Sequence, residues 1–140
     1  MIQTNELRIG NYIHRLDLKG GVGYIDCEKR MIGIKNAPLI SVKVAGVVSG
    51  KVIFGDGVQE AECLSPIPLT EEILLKCGFE DMGYGLYSLV NLFLNSNNDG
   101  FGIEISSNED SFFKGVRITS LHQLQNLYFA LTGEELEIQL

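Results

Sequence analysis

The chain has 140 residues, 45% of them hydrophobic and 21% charged, a composition typical of one folded domain or of two small modules that share a core. No apolar run approaches the roughly 20 residues that span a bilayer, which excludes a transmembrane helix. Sixteen glycines against three prolines indicate many tight turns, as in a strand-rich fold.

Residues 1–65 read as a run of short strands separated by glycine-containing turns. Apolar and polar side chains alternate over 40–45, the period of a strand with one buried face. Five or six short strands are packed into this stretch. They predict a small β-barrel module with SH3-like geometry.

Residues 66–140 predict a second module, which begins where two closely spaced prolines end the strand run. A short helix is predicted over 69–78, with Thr70 as its N-cap and Gly78 at its end. The alternating segment 135–140 suggests a final strand. Between these elements we expect a three-stranded antiparallel sheet, with strands over 86–94, 101–105 and 112–118.

The strongest helical pattern lies over 121–131. Ser120 precedes it as the expected N-cap, and Gln123 stands where a capping-box side chain reaches back to the Ser120 amide. Gly133 follows as a left-handed stop. The apolar stripe that should face the sheet consists of Leu121, Leu124, Leu127, Tyr128 and Leu131. The predicted fold class is therefore α+β, a small barrel followed by a helix–three-stranded sheet–helix unit that packs against it.

The residues that could form a catalytic or phosphate-binding site are better explained by structural roles. The glycine-rich segment 20–23 lacks the following helix of a phosphate loop and reads as a hairpin turn. His14 has no carboxylate nearby in sequence, and His122 reads as a surface or capping residue. Adjacent glutamates such as Glu71 and Glu72 point about 100° apart on a helix, so they do not converge on one substrate. We predict no catalytic residue, no enzyme activity and no cofactor.

The cysteines are odd in number and irregularly spaced, with no C-x-x-C pair, at positions Cys27, Cys63 and Cys77. We interpret them as small buried side chains in a reducing compartment and predict no metal site. Residues 1–6 lack the basic and apolar segments of a signal peptide. We therefore expect a cytoplasmic protein with no membrane partner.

Charge is distributed unevenly along the chain. Residues 1–65 hold eight Lys/Arg and seven Asp/Glu, whereas residues 66–140 hold three and eleven, for a total of −7. The acidic second module argues against broad phosphate binding there. The first module leaves a nucleic-acid role open as the alternative function. Its candidate contacts are Arg8, Arg15, Lys43 and Lys51.

The predicted last helix also suggests a partner surface. Its outer face carries little charge, and Tyr128 and Phe129 are adjacent, so they cannot both point fully into one core. An exposed Phe129 would mark a protein interface, whereas a buried one would belong to the core. The candidate partner-surface residues are Gln123, Gln125, Asn126 and Phe129.

Three segments resemble a family of small uncharacterised proteins of Bacteroidetes genomes and their phages or other mobile elements. They are NELRIGNY at 5–12, PIPLTEE at 66–72 with LKCGF at 75–79, and HQLQNLYFALTGEEL at 122–136. The resemblance implies a mobile-element context and brings no activity, cofactor or catalytic residue. It agrees with our leading hypothesis of a non-enzymatic interaction or accessory protein that binds another protein. Homo-oligomerisation, and an enzyme site formed only across an oligomer interface, remain alternatives.

Overall fold

The computed structural model describes residues 2–16, 24–26, 30–32, 39–61, 64–90, 92–97, 100–107 and 110–139. The chain divides into two compact units, residues 1–67 and 68–140. The fold is of the α+β class, with two α-helices and a majority of strands among the described elements. The glycine-rich segment 20–23 lies outside the described residues, as do Cys27 and Cys63.

The described strands of the first unit form three small antiparallel sheets. A short 3-10 helix, Thr4–Glu6, precedes the strands. β1 pairs with β4, β2 with β3, and β5, β6 and β7 form a three-stranded meander. The strands are β1 (Tyr12–Leu16), β2 (Tyr24–Asp26), β3 (Arg30–Ile32), β4 (Leu39–Lys43), β5 (Gly46–Val48), β6 (Lys51–Phe54) and β7 (Gly57–Glu60).

The predicted barrel of this unit is not confirmed, because the described sheets are open and none closes on itself. The described part of the chain has no ladder between β4 and β5, which follow each other directly. Val44 instead donates its amide to the Asn11 carbonyl, and Ala45 donates to the Ile53 carbonyl, so the chain changes partners at this point.

Among the described residues, the core of the first unit contains an apolar cluster. The cluster consists of Ile2, Leu7, Ile13, Val44, Val52, Phe54, Ala61 and Leu64. The turn that leads into β1 is anchored beside it by Asn11, which is completely buried. The Asn11 Oδ1 atom accepts the Arg8 amide at 2.7 Å, so the buried amide group is hydrogen-bonded.

The second unit is a five-stranded antiparallel sheet with one helix before it and one after it in sequence. The sheet order is β12-β11-β10-β9-β8, a simple meander. The helices are α1 (Glu71–Lys76) and α2 (Leu121–Thr132), and the strands are β8 (Glu80–Asp81), β9 (Leu86–Leu89), β10 (Leu92–Asn97), β11 (Gly100–Ser107) and β12 (Asp110–Ile118). Apolar residues of both helices and of the sheet are buried, and Tyr87 and Phe101 meet edge to face at 6.1 Å between ring centroids.

Backbone hydrogen bonds join the first residues of this unit to the segment before α2. Pro68 and Ser120 form an antiparallel bridge, and the Leu69 amide donates to the Thr119 carbonyl at 2.9 Å. The predicted N-cap of α1 is confirmed, because Thr70 Oγ1 accepts the Ile73 amide at 3.2 Å. Near the end of the unit, the Gln139 amide reaches the Lys76 carbonyl at 3.4 Å.

The predicted three-stranded sheet was wrong, because the described sheet has five strands, and the predicted final strand at the end of the chain was wrong as well. The predicted strand 86–94 is two strands, because the chain reverses after Leu89, where Val90 has a left-handed φ of +55°. The short β8 adds a fifth strand that sequence periodicity is too coarse to detect. Residues 135–139 form no strand, although Leu136 is buried as an alternating pattern would require.

We expect Val90→Asn to raise the free energy of unfolding by about 0.5–1 kcal/mol. A β-branched residue is strained in the left-handed region, whereas asparagine tolerates it. Val90 is exposed, so little burial is lost. The matched control is Val58→Asn, an exposed valine inside β7 that should be neutral or destabilising. Urea denaturation followed by circular dichroism measures both, and equal effects at the two positions would contradict the assignment of strain.

Candidate interaction surfaces

The beginning of α2 differs from the predicted capping box. Ser120 occupies the N-cap position with φ of −135°, but its side chain makes no capping hydrogen bond. Gln123 reaches one residue further back than predicted, and its Oε1 atom accepts the Thr119 amide at 3.0 Å. The Ser120 side chain is instead buried, beside the bridge that its backbone forms with Pro68.

The first half of α2 is more deeply buried than predicted. Leu121 and Leu124 are completely buried, as the stripe requires, but His122 and Gln125 are buried with them. Gln125 follows Leu121 by one helical turn, so it shares the inward direction whatever its polarity. The predictions of a surface His122 and of an outward Gln125 were therefore wrong.

The second half of α2 leaves its apolar residues at the surface. Phe129 is 39% exposed and Leu131 is 51% exposed, while Leu127 and Tyr128 are half-buried. The helix ends as predicted at Gly133, which has a left-handed φ of +74°. Leu131 therefore does not continue the buried stripe.

We define the outer face of α2 as Gln123, Asn126, Leu127 and Ala130. Successive residues turn about 100° around a helix, so these four positions lie opposite the buried arc. Gln123 and Ala130 are exposed, and Asn126 and Leu127 are half-buried. Phe129 and Leu131 flank this face on its two sides.

The outer face of α2 carries no formal charge. Between Arg117 and Glu134 the sequence has no Asp, Glu, Lys or Arg, although the outer face of a solvated helix usually carries several. Of the predicted partner-surface residues, Gln123 and Phe129 are exposed and Asn126 is half-buried; the prediction did not include Ala130 and Leu131, which are also exposed. The long uncharged interval was the signal that could have identified them.

The four basic candidates of the first unit lie on different elements. Arg15 makes a salt bridge with Asp56, and its guanidinium lies over the Phe54 ring at 5.2 Å from the centroid. Lys43 is exposed over the Tyr12 ring, at the opposite end of the β1–β4 pair.

The other two basic candidates lie elsewhere in the first unit. Arg8 is half-buried in the turn before β1, and Lys51 is exposed at the start of β6. The Arg15 side chain is therefore held by contacts within its own unit. Lys43 and Lys51 are the candidates whose side chains remain exposed.

The remaining titratable candidates interact with neighbouring residues of the fold. His14 hydrogen-bonds through its backbone to Ser65, and partial burial lowers the pKa of its imidazole. Glu72 forms an ion pair with Lys76 at 2.9 Å on α1. The pKa of the Tyr87 hydroxyl is raised, mainly because the side chain is buried. A hydrogen bond to the Glu71 carboxylate and the charge of that carboxylate raise it further. Among the described residues, no group of three His, Cys, Asp or Glu side chains is arranged to hold a metal ion.

Comparison with protein-family models, with curated proteins and with solved structures found no match to this chain. Within the described residues, neither helix is long and apolar enough to cross a membrane.

We expect His14 to destabilise the fold progressively as the pH falls. Because the pKa of His14 is below 6.5 in the folded protein, the unfolded chain binds its proton first. Its contribution to stability is therefore present above pH 6.5 and is lost as the pH falls through the folded-state pKa. Urea denaturation between pH 8 and pH 5 should show a smaller decrease for His14→Gln than for the unchanged protein. An identical pH dependence would contradict this prediction.

We expect Cys77 to be protected from alkylation in the native protein. Burial raises the pKa of its thiol to about 12, so only about one thiol in ten thousand is ionised at pH 8. Peptide mass spectrometry after iodoacetamide treatment measures this residue separately from other cysteines. The control is the same reaction in concentrated urea, where Cys77 should react fully. Rapid native modification would show that the side chain is accessible.

Proposed function

We propose that this protein is a non-enzymatic interaction protein, an accessory or assembly factor of a phage-like or mobile element, and that it binds another protein through the outer face of α2. The observation that carries the proposal is an uncharged helix half with Phe129 and Leu131 at the surface. The cores of protein interfaces are depleted in charge and enriched in aromatic residues, which is the composition of this segment. The mobile-element context rests on the resemblance of residues 5–12, 66–72, 75–79 and 122–136.

The small size of Ala130 supports a partner that approaches the helix closely. It lies in the middle of the exposed half, between the larger side chains of Phe129 and Leu131. Asn126 and Gln123 supply hydrogen-bonding groups one and two turns earlier, respectively. The outer face therefore combines uncharged amides with Ala130, and larger apolar side chains lie at its two sides; the depletion of charge is typical of the core of a protein interface.

The alternative function assigns nucleic-acid binding to the first unit, as a small SH3-like barrel that uses its basic residues. Lys43 and Lys51 are its available contacts, since Arg15 is held by Asp56 and Phe54. Binding of this kind would weaken steeply with salt. It would also be lost in Lys43→Glu.

We expect Leu131→Glu to abolish capture of the partner in a tagged pull-down from native host lysate at low salt. A carboxylate at this position would have to lose its hydration at the interface. The matched control is Leu75→Glu, an equally exposed leucine on α1. Capture should survive nuclease treatment, and mass spectrometry should find the partner with Leu75→Glu and not with Leu131→Glu.

Two outcomes of this experiment would overturn the proposal. Equal capture by both variants would remove α2 from the interface. Recovery that disappears with nuclease and with Lys43→Glu, while Leu131→Glu has no effect, would favour the nucleic-acid alternative.

A further inference from the structure

A tight turn between β8 and β9 holds an aromatic side chain away from the second unit. The Leu86 amide donates to the Gly83 carbonyl at 3.1 Å, which closes a four-residue β-turn with Tyr84 and Gly85 at its centre. Their φ values are +56° and +76°, the left-handed pair of a type I′ turn. Tyr84 is completely exposed, and the neighbouring Met82 is 55% exposed.

The backbone under Tyr84 is fixed from both sides. The Asp81 carboxylate accepts the Gly83 amide at 2.9 Å. The Ser96 amide, on β10, donates to the Gly85 carbonyl at 2.7 Å. A side chain presented on a hydrogen-bonded turn loses little conformational freedom on binding, and tyrosine itself has only two side-chain torsions to fix.

Tyrosine is an unusual residue for this backbone conformation. The first central position of a type I′ turn favours asparagine, aspartate or glycine, because a bulky side chain is strained at positive φ. Tyr84 gains nothing from burial that would offset the strain, since none of its side chain is buried. Strained residues that persist at the surface are typical of ligand-contacting positions.

The charge around the turn specifies the chemistry of a partner. The nearest base in register is Arg117 on β12, in the same row of the sheet as Leu86 but three strands away. Glu80 and Asp81 are exposed immediately before the turn. The nearest preceding base, Lys76, is paired with Glu72. Two exposed carboxylates beside the turn disfavour nucleic acid and anionic lipid and favour a basic protein surface.

We propose that the turn at residues 82–85 is a docking element that inserts Tyr84, with Met82 beside it, into an apolar pocket on a protein whose surrounding surface is rich in Lys and Arg. Tyrosine is among the residues that most often dominate binding energy at interfaces, and its ring also accepts a cation–π contact from arginine. The acidic residues beside the turn orient the partner. This docking element lies apart from the outer face of α2 in sequence and shares no residue with it.

Photo-crosslinking in native host cells tests this docking element directly. The full chain carries p-benzoylphenylalanine in place of Met82, next to an unchanged Tyr84. The control chain carries it in place of Val58, which is equally exposed in the first unit. We expect a discrete adduct from position 82 only, with a basic protein, resistant to nuclease. Tyr84→Ala should lower its yield about tenfold or more, whereas Tyr84→Phe keeps it within about twofold.

Additional variants and salt conditions distinguish this docking element from the other proposed interactions. Glu80→Lys should lower the adduct yield, as should raised salt, because both weaken attraction to a basic surface. Leu131→Glu should leave the adduct yield unchanged. The proposed interface on α2 and the proposed docking element can therefore be refuted independently of each other. Circular dichroism confirms that each variant is folded. The proposal would be overturned if position 82 gave no adduct above the Val58 control, or if Tyr84→Ala left the yield unchanged. It would also be overturned by an adduct with nucleic acid, lipid, an acidic protein or a second copy of this chain.

Discussion

The left-handed backbone of the hairpin turns is the constraint on which both units depend. Antiparallel strands with a right-handed twist are best joined by two-residue turns at positive φ. Ser49 and Gly50 join β5 to β6 in this way, and Tyr84 and Gly85 lie in the turn before β9. Because the five-stranded sheet is a meander in chain order, each strand takes its register from the turn before it. A single turn of the wrong geometry would move the following strands to the opposite face.

Features with a local cause could be predicted from the sequence. The cap at Thr70 and the stop at Gly133 depend on residues only a few positions away, and the structure has both. The predicted helix 121–131 differs from α2 by one residue. The α+β class follows from such local signals taken together. The alternation of apolar and polar residues over 40–45 also correctly predicted part of β4.

Features with a distant cause could not be predicted. Val90 favours strands by its side chain, so nothing in the sequence indicated that the chain reverses there. Gln125 was assigned outward by polarity, although its helical position points inward. Barrel closure requires pairing between strands far apart in sequence, and periodicity contains no information about it. For the same reason, composition suggested an interaction surface on α2, but only the structure identified the exposure of Leu131.

The bridge between Pro68 and Ser120 has a consequence for the order in which the second unit is completed during synthesis. Residues 68–69 leave the ribosome roughly 50 residues before the segment that they pair with. Until that segment emerges, α1 has been made but lacks the hydrogen bonds that tether its leading end, and Leu74 has no finished core to enter. The meander can form hairpin by hairpin in the meantime. The backbone bonds that tether the leading end of α1 can therefore form only after the whole meander has been synthesised.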